Sequence, residues 1–409
     1  MKPFKFSSKT YAWIVVALLW VVAFLNYFDR ILITSMRDPI VSSFSINDAQ
    51  FGLLTSVFLW SYGVLSPLGG YFADKYGRKP VIIFSVLVWS IVTLWTGFAQ
   101  TFGEMITARL CMGISEACYI PAALALIADY HKGTTRSLAT GIHMSGLYAG
   151  LALGGLGGYI SESWGWRYGF QVFGFFGVVY ALILFFTLRK PLGKQESINI
   201  TDKGAIVLPV SITQSLKLFS IFSFRILLFY FCAYGLVNWL IYGWLPTFLK
   251  SHFNLDLGQA GISATGYVQI GSFAGVLLGG VLADRWHKIN KRARLYVIIM
   301  GFTIGAPCLF LMSYTYTFGV AIAAMIIYGV ARGFNDANLM PVLCQVIDER
   351  YIATGYGFLN FLSTIVGGLM VFTGGILRDA HVSLSLIYGG SAILLLLAAW
   401  SLFLVKIKR

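Results

Sequence analysis

Gly70-Tyr71-Phe72-Ala73-Asp74-Lys75 returns 210 residues later as Gly280-Val281-Leu282-Ala283-Asp284-Arg285. Each copy ends a long apolar run and is trailed by basic residues, Arg78 and Lys79 after the first and Lys288 after the second. Two more echoes keep the same order. Gly113-Ile114-Ser115-Glu116-Ala117, with Pro121, answers Gly333-Phe334-Asn335-Asp336-Ala337, with Pro341. Arg136-x-x-Ala139-Thr140-Gly141 answers Arg350-x-x-Ala353-Thr354-Gly355. Three matches at separations of 210 to 220 residues mark a duplicated chain. In membrane carriers built this way, the site is expected at the interface of the two repeats, near the midplane.

The bulk composition agrees. The 409 residues are 58% hydrophobic and only 11% charged, where soluble domains carry about 25% charged residues. The chain reads as an all-α integral membrane protein. A span needs about 20 mostly apolar residues. Such runs fall at approximately 11–36, 49–73, 80–99, 103–129, 137–160, 167–187, 224–250, 259–284, 293–314, 317–346, 353–377 and 381–405. One long polar interruption, Arg189 to Ser223, separates six spans from six. The expected organisation is a bundle over 1–188, a cytoplasmic linker over 189–223 and a second bundle over 224–409. The 44 glycines suit closely packed helices. Five cysteines lie in apolar runs without a Cys-x-x-Cys pair and read as small core residues. Lys2, Lys5 and Lys9 before an apolar run imitate a secretory signal, but Asp29-Arg30 makes a poor signal end, so a retained first helix is expected.

The net charge of +14 does not indicate nucleic acid, because the basic residues sit in short tracts between spans. With the N-terminus in the cytoplasm, cytoplasmic segments hold 23 of the 30 basic residues. Arg37, Arg167, Lys250 and Arg378 fall on the opposite side. That asymmetry places both termini in the cytoplasm. The last three, Arg30, Arg109 and Arg332, fall inside spans, as do three acids, Asp29, Glu116 and Asp336. A charged side chain at a helix centre costs roughly 2.5–3.5 kcal/mol on insertion scales, so these six are expected to face a polar interior.

Across nearly its whole length the chain resembles the major facilitator superfamily. The loop Gly70…Asp74…Gly77-Arg78-Lys79 looks like that family's signature between helices two and three. The resemblance implies two pseudo-symmetric six-helix bundles, with Asp74, Arg78, Asp284 and Arg285 as a conformational latch. Within the family, Asn26-Tyr27-Phe28-Asp29-Arg30 and Arg109…Gly113…Glu116-Ala117…Pro121 resemble the anion:cation symporters, which include hexonate and hexuronate carriers and sialin. That likeness implies proton sites at Asp29 and Glu116 and anion-binding roles for Arg30 and Arg109. Ser145-Gly146 is followed by Leu147, where the group often has a polar residue. Leu151 stands where the fifth-helix motif of drug/proton antiporters has Pro.

The residues themselves suggest the same chemistry. Arg109 and Glu116 are seven apart, and Arg332 and Asp336 four apart, so each pair shares a helix face. Adjacent Asp29 and Arg30 point in different directions and are expected to serve different partners. Arginine stays charged and grips carboxylates bidentately, while a carboxylate in a low-dielectric cavity can take up a proton. Asp336 is a third proton candidate. Asn26, Tyr27, Asn238, Tyr242, Arg332, Asn335 and Asn360 are candidate substrate-binding residues, and Trp239 and Trp244 could stack on a sugar face.

The expectation is thus a monomeric, proton-coupled symporter of a small organic anion, most simply a sugar acid, in a bacterial inner membrane. Membrane lipid is the expected surrounding partner. No cofactor, metal or nucleic acid is expected. Two other readings stay open. The Asn-Tyr-x-Asp-Arg start and Leu126-Ile127-Ala128-Asp129 also resemble spinster-like lysolipid and sphingolipid transporters. Tyr242-Gly243-Trp244-Leu245-Pro246 suggests an organophosphate/phosphate antiporter, with Arg30 and Arg332 as its facing arginines. A non-transporting receptor of the same fold is a further possibility. No nucleophile–base set or metal spacing points to an enzyme.

Overall fold

A computed structural model describes residues 8–131, 135–189, 217–348 and 351–407. Most of the expected linker, and the side chain of the latch residue Asp74, fall outside the described residues. The first half contains α1 (Ser8–Leu32), α2 (Arg37–Phe44), α3 (Asp48–Tyr76), α4 (Arg78–Thr96), α5 (Phe102–Glu116), α6 (Tyr119–Tyr130), α7 (Arg136–Leu153), α8 (Gly157–Trp164) and α9 (Trp166–Thr187). The second contains α10 (Phe222–Phe253), α11 (Leu257–His287), α12 (Ala293–Tyr314), α13 (Phe318–Val346), α14 (Ile352–Asp379) and α15 (Leu384–Ser401).

Three of the expected spans are segmented. α1 passes through a 3₁₀ turn, Ile33–Met36, into α2; α5 and α6 break at Ala117–Cys118; α7 and α8 are joined by 3₁₀ residues Gly154–Leu156. Among the described residues, ten helical segments are long and apolar enough to cross a membrane. α3 and the α7–α8 run occupy the remaining two expected positions. Local chemistry sets the boundaries. Asn47 starts α3 with a reciprocal capping box to Gln50. Thr101 caps α5, and Ser383 caps α15. Gly77 turns the chain between α3 and α4 at φ +87°, a backbone conformation that a side chain would strain. This explains the glycine of the signature loop.

The duplication is visible in the packing. α1 pairs with α7, α3 with α5 and α4 with α9; correspondingly, α10 pairs with α14, α11 with α13 and α12 with α15. The halves meet along α3 and α14 and along α7–α8 and α11. Both seams depend on backbone approach. A Cβ on Gly155 would lie 2.2 Å from the Gly261 carbonyl oxygen, and one on Gly375 2.3 Å from that of Asp48. Small residues permit such contact where no water-driven apolar collapse brings helices together.

The first and last described helices have their outer ends on one face, the terminal face. The Tyr11 hydroxyl donates to the Thr187 carbonyl, Tyr130 to the Arg189 carbonyl and Ser223 to the Lys406 carbonyl. From the opposite, distal face the contacts between halves run inward through Gly52–Val371 and Ser56–Gly368 to Gly63–Thr364 on one seam. On the other they run through Gly158–Leu257 and Gly155–Gly261 to Thr265–Ala152. Beyond that level Val64, Leu68 and Tyr71 of α3 are exposed. The two halves are thus held together at the distal face, with both seams reaching inward to Gly63 and Thr265.

The expectation for the cysteines needs correction. All five are free; four are half-buried, with Cys308 and Cys111 packed against the edge of apolar clusters, and Cys344 is exposed, so none is fully buried. In a membrane protein a solvent-accessible apolar surface faces lipid, and apolar spacing alone does not separate core from lipid face.

Candidate carrier site

Asp29 and Arg30 take different partners. Arg30 Nε donates to Glu116 Oε2 at 2.6 Å, with the two side chains 2% and 0% exposed. Asp29 Oδ2 instead accepts from the Thr93 hydroxyl at 3.2 Å, and its Oδ1 has no hydrogen-bond partner. The Arg30 guanidinium lies 4.5 Å from the Tyr27 ring centre and 4.3 Å from that of Tyr62. Such stacking holds a cation while leaving its N–H groups available, and Arg30 Nη2 is buried without a partner. Asn26 is fully buried one turn earlier, with neither amide atom hydrogen-bonded.

Arg109 occupies a different place from the one expected. It is fully buried, donates to the Leu54 carbonyl at 3.4 Å and to Met112 Sδ at 3.2 Å, and rests on Phe58. The seven-residue spacing does not make it the ion-pair partner of Glu116, because Arg30 from α1 takes that carboxylate.

In the second half, Asp336 is the hub. It accepts from Tyr234 at 2.9 Å, from Asn335 Nδ2 at 3.1 Å and, across the halves, from Tyr148 at 3.3 Å. Arg332 lies 3.7 Å from it, one turn away. Arg332 also donates to Gln269 Oε1 at 3.3 Å, and Gln269 in turn donates to the Tyr242 hydroxyl at 3.2 Å. The Arg332 guanidinium stands 5.3 Å from the Tyr242 ring. Tyr27, Tyr148 and Trp239 pack around the cluster of Ile31, Leu151 and Tyr242, which joins the surroundings of Arg30 and Arg332. Three acids and three arginines thus lie in the interior: the second half joins its acid and arginine in one network, while the first holds Arg30–Glu116, Asp29–Thr93 and Arg109 in separate groupings.

Several candidates change role. Asn335 is fully buried and bonded on both sides, to Tyr230 and Asp336, so it supports the acid rather than presenting a free amide. Trp244 is fully buried and donates to the Val371 carbonyl, which leaves it no face for a sugar. Trp239, Asn238 and Asn360 are half-buried, with Trp239 packed beside Tyr242. His143 is buried against Tyr119 within the first half. The latch residues pair inside each half: Arg78 with Asp129, and Asp284 with Arg294 at 3.1 Å, while Arg285 is exposed.

Thr93, Tyr62, Tyr148 and Gln269 escaped sequence reasoning. Gln269 had a legible signal, being an amide inside an otherwise apolar run. The tyrosines had none, since aromatics fill this chain. Also missed was an ionic cluster on the distal face. Arg37 Nε donates to Asp48 at 2.7 Å, Arg378 to the same carboxylate at 2.9 Å, and Lys250 pairs with Asp38.

Two duplicated helical halves around a buried acid–arginine interior define a multi-pass membrane transporter, not an enzyme. The chain belongs to the major facilitator superfamily, whose family model matches residues 19–371. It is 26% identical over 428 residues to the probable galactarate/D-glucarate transporter GarP of Escherichia coli (strain K12), covering 97% of this chain and 95% of that protein. It is 29% identical over 381 residues to protein spinster homolog 1 of Homo sapiens, covering 87% and 70%. The crystal structure of a bacterial homolog of the human lysosomal transporter spinster, in an inward-facing and unoccupied conformation, superposes with a TM-score of 0.80. It is 23% identical, covering 99% of this chain and 97% of that one.

Proposed function

We propose that this protein is a proton-coupled symporter of a small organic anion, of the hexuronate, hexonate or sialic acid type, in a bacterial inner membrane with its terminal face cytoplasmic. The observation that carries the reading is Arg30. Its guanidinium is held by Glu116 and two tyrosine rings, yet retains a buried N–H group without a partner. A substrate carboxylate supplies the missing acceptor in a charge-assisted bond.

Charge balance supports the coupling. The interior holds three acids and three arginines, so an entering anion leaves an uncompensated negative charge in a low-dielectric site. A proton taken up by Asp29, Glu116 or Asp336 restores neutrality. Asp29 is the simplest acceptor, because its carboxylate meets the Thr93 hydroxyl and no arginine, whereas Glu116 is paired with Arg30. Rocking of the halves about the site then carries substrate and proton together. The similarity to a sugar-acid carrier over nearly the full length favours this substrate class.

A second reading, transport of a lysolipid, is favoured by the likeness to spinster homolog 1. One experiment separates them. Purified protein in proteoliposomes is assayed for pH-driven uptake of sugar acids and, in parallel, for lysolipid movement. Sugar-acid uptake that disappears in both Arg30→Ala and Arg30→Lys, with normal insertion, is the expected result. Full accumulation by Arg30→Ala would remove the anion-site assignment, and lysolipid movement alone would replace it with the second reading.

A further inference from the structure

On the distal face, a cavity of about 440 Å³ lies where the halves meet, lined by Arg37, Asp38, Thr247, Lys250, Arg378 and neighbouring residues. Sequence asymmetry makes this unusual. Four basic residues are expected on that face, and three of them converge on one cavity. The division of charge is directional. The first half supplies the acids Asp38 and Asp48, with Arg37 beside them, and the second supplies the cations Lys250 and Arg378. Asp379, the remaining acid of the cluster, is engaged elsewhere, accepting from the backbone N–H groups of Asp48 at 3.0 Å and Ala49 at 2.9 Å. Three cations therefore share two carboxylates. Arg378 shows the deficit: its Nε reaches Asp48 and its ring contact is Trp244, but its Nη1 is buried with no hydrogen-bond partner.

We propose that this cavity is a recruitment site for a carboxylate anion, which competes with Asp38 and Asp48 for Lys250 and Arg378 and so releases the distal face. The proposal rests on the reading of the protein as an organic-anion carrier only in that the substrate then bears the recruited group. The cross-half ion pairs are carboxylate–cation pairs, so a soluble carboxylate offers the same chemistry to the same donors. Once it sits on the second half's cations, the first half's acids keep only Arg37 of their own half, and the ion pairs that join the halves are released. A ligand shifts such an equilibrium only through its preference for one state. Here that preference arises because, in the closed state, the ligand must contend with Asp38 and Asp48.

The test uses the full chain in nanodiscs, with the five native cysteines replaced and spin labels on Ser42→Cys and Gln259→Cys. Both positions are exposed on the distal face, one in each half. Arg30→Ala is included so that the central site does not respond. Sodium D-galactonate is titrated against sodium chloride at equal ionic strength, and the fraction of separated distal faces is read by pulsed EPR. Galactonate is expected to raise that fraction by about tenfold and chloride by far less. The decisive arms are Asp38→Asn and Arg378→Gln. Both break a cross-half pair, so a purely structural latch responds alike to each. A recruitment site instead gives opposite shifts in the half-maximal galactonate concentration, lower in Asp38→Asn and higher in Arg378→Gln. Equal shifts, a matching chloride response or no response overturns the proposal. Uptake is measured in parallel with Arg30 intact: uptake there without a distal response in the labelled protein sinks only this proposal, whereas a distal response with no uptake by the Arg30-intact protein sinks only the central reading.

Discussion

The Tyr148 hydroxyl, on α7 of the first half, donates to Asp336 Oδ2, on α13 of the second, at 3.3 Å. It joins the two repeats on the carboxylate that also holds Tyr234, Asn335 and Arg332. A bond of this kind contributes about 1 kcal/mol, which corresponds to about a fivefold change in population. Tyr148→Phe should therefore shift the carrier toward its distal-open state by about that factor without unfolding it. Labelling of a cysteine placed in the distal seam reads the shift. Asp336→Asn should be more severe, cutting uptake more than tenfold, because Arg332 then keeps only Gln269.

The Arg30–Glu116 pair predicts a strongly non-additive cycle. Removing one partner of a buried pair costs about 3–5 kcal/mol, because the other charge is left uncompensated. Glu116→Gln and Arg30→Gln should each lower the thermal midpoint markedly. The double variant should recover much of that loss while remaining inactive in uptake. Additive losses would show that the two charges do not depend on each other.

Asp29 separates binding from coupling. Its carboxylate touches Thr93 rather than Arg30, so Asp29→Asn leaves the guanidinium and its rings in place. Substrate counterflow between equal internal and external pools should persist. Accumulation driven by a pH gradient should fall to the level of passive equilibration. Loss of both activities together would assign Asp29 to substrate binding instead.

Gly155→Ala tests the second seam. The added methyl meets the Gly261 backbone, which has no flexible end to move aside. Overpacking of this kind costs roughly 1–3 kcal/mol, and here it falls on the closed distal state. The variant should show raised distal accessibility and reduced uptake, with nearly normal expression.

The architecture was legible because its signals repeat. Asp74 and Asp284, or Glu116 and Asp336, mark equivalent positions in a duplicated chain, and the helix pairing follows that duplication. The split between Asp29 and Arg30 was legible too, since neighbours on a helix point about 100° apart. The partner of Arg30 was not. Arg109 and Glu116 share the spacing of one face, but which face of α1 reaches Glu116 depends on the tilt and rotation of packed helices. The distal cluster was half legible: Arg37, Lys250 and Arg378 could be placed on that face from charge asymmetry. Their convergence with Asp38 and Asp48 joins turns up to 330 residues apart and exists only in the assembled pair of halves.

The carboxylate of Asp379 covers the first two backbone amides of α3, which lies in the other half. A helix start has amides that need an acceptor, and water serves nearly as well as a side chain where the aqueous phase is at hand. When the distal face separates, α3 exchanges a protein acceptor for solvent and Asp379 exchanges amides for solvent. Little hydrogen-bond enthalpy is lost on either side. The same holds for the more exposed of the ion pairs, Lys250 with Asp38, since exposed pairs have a net worth in water of about 0–1 kcal/mol. The seal thus has a hinge-like economy: its polar bonds set the register of closure without making closure permanent. Reversibility, which a transporter must repeat at every turnover, is built into the choice of groups that solvent can replace.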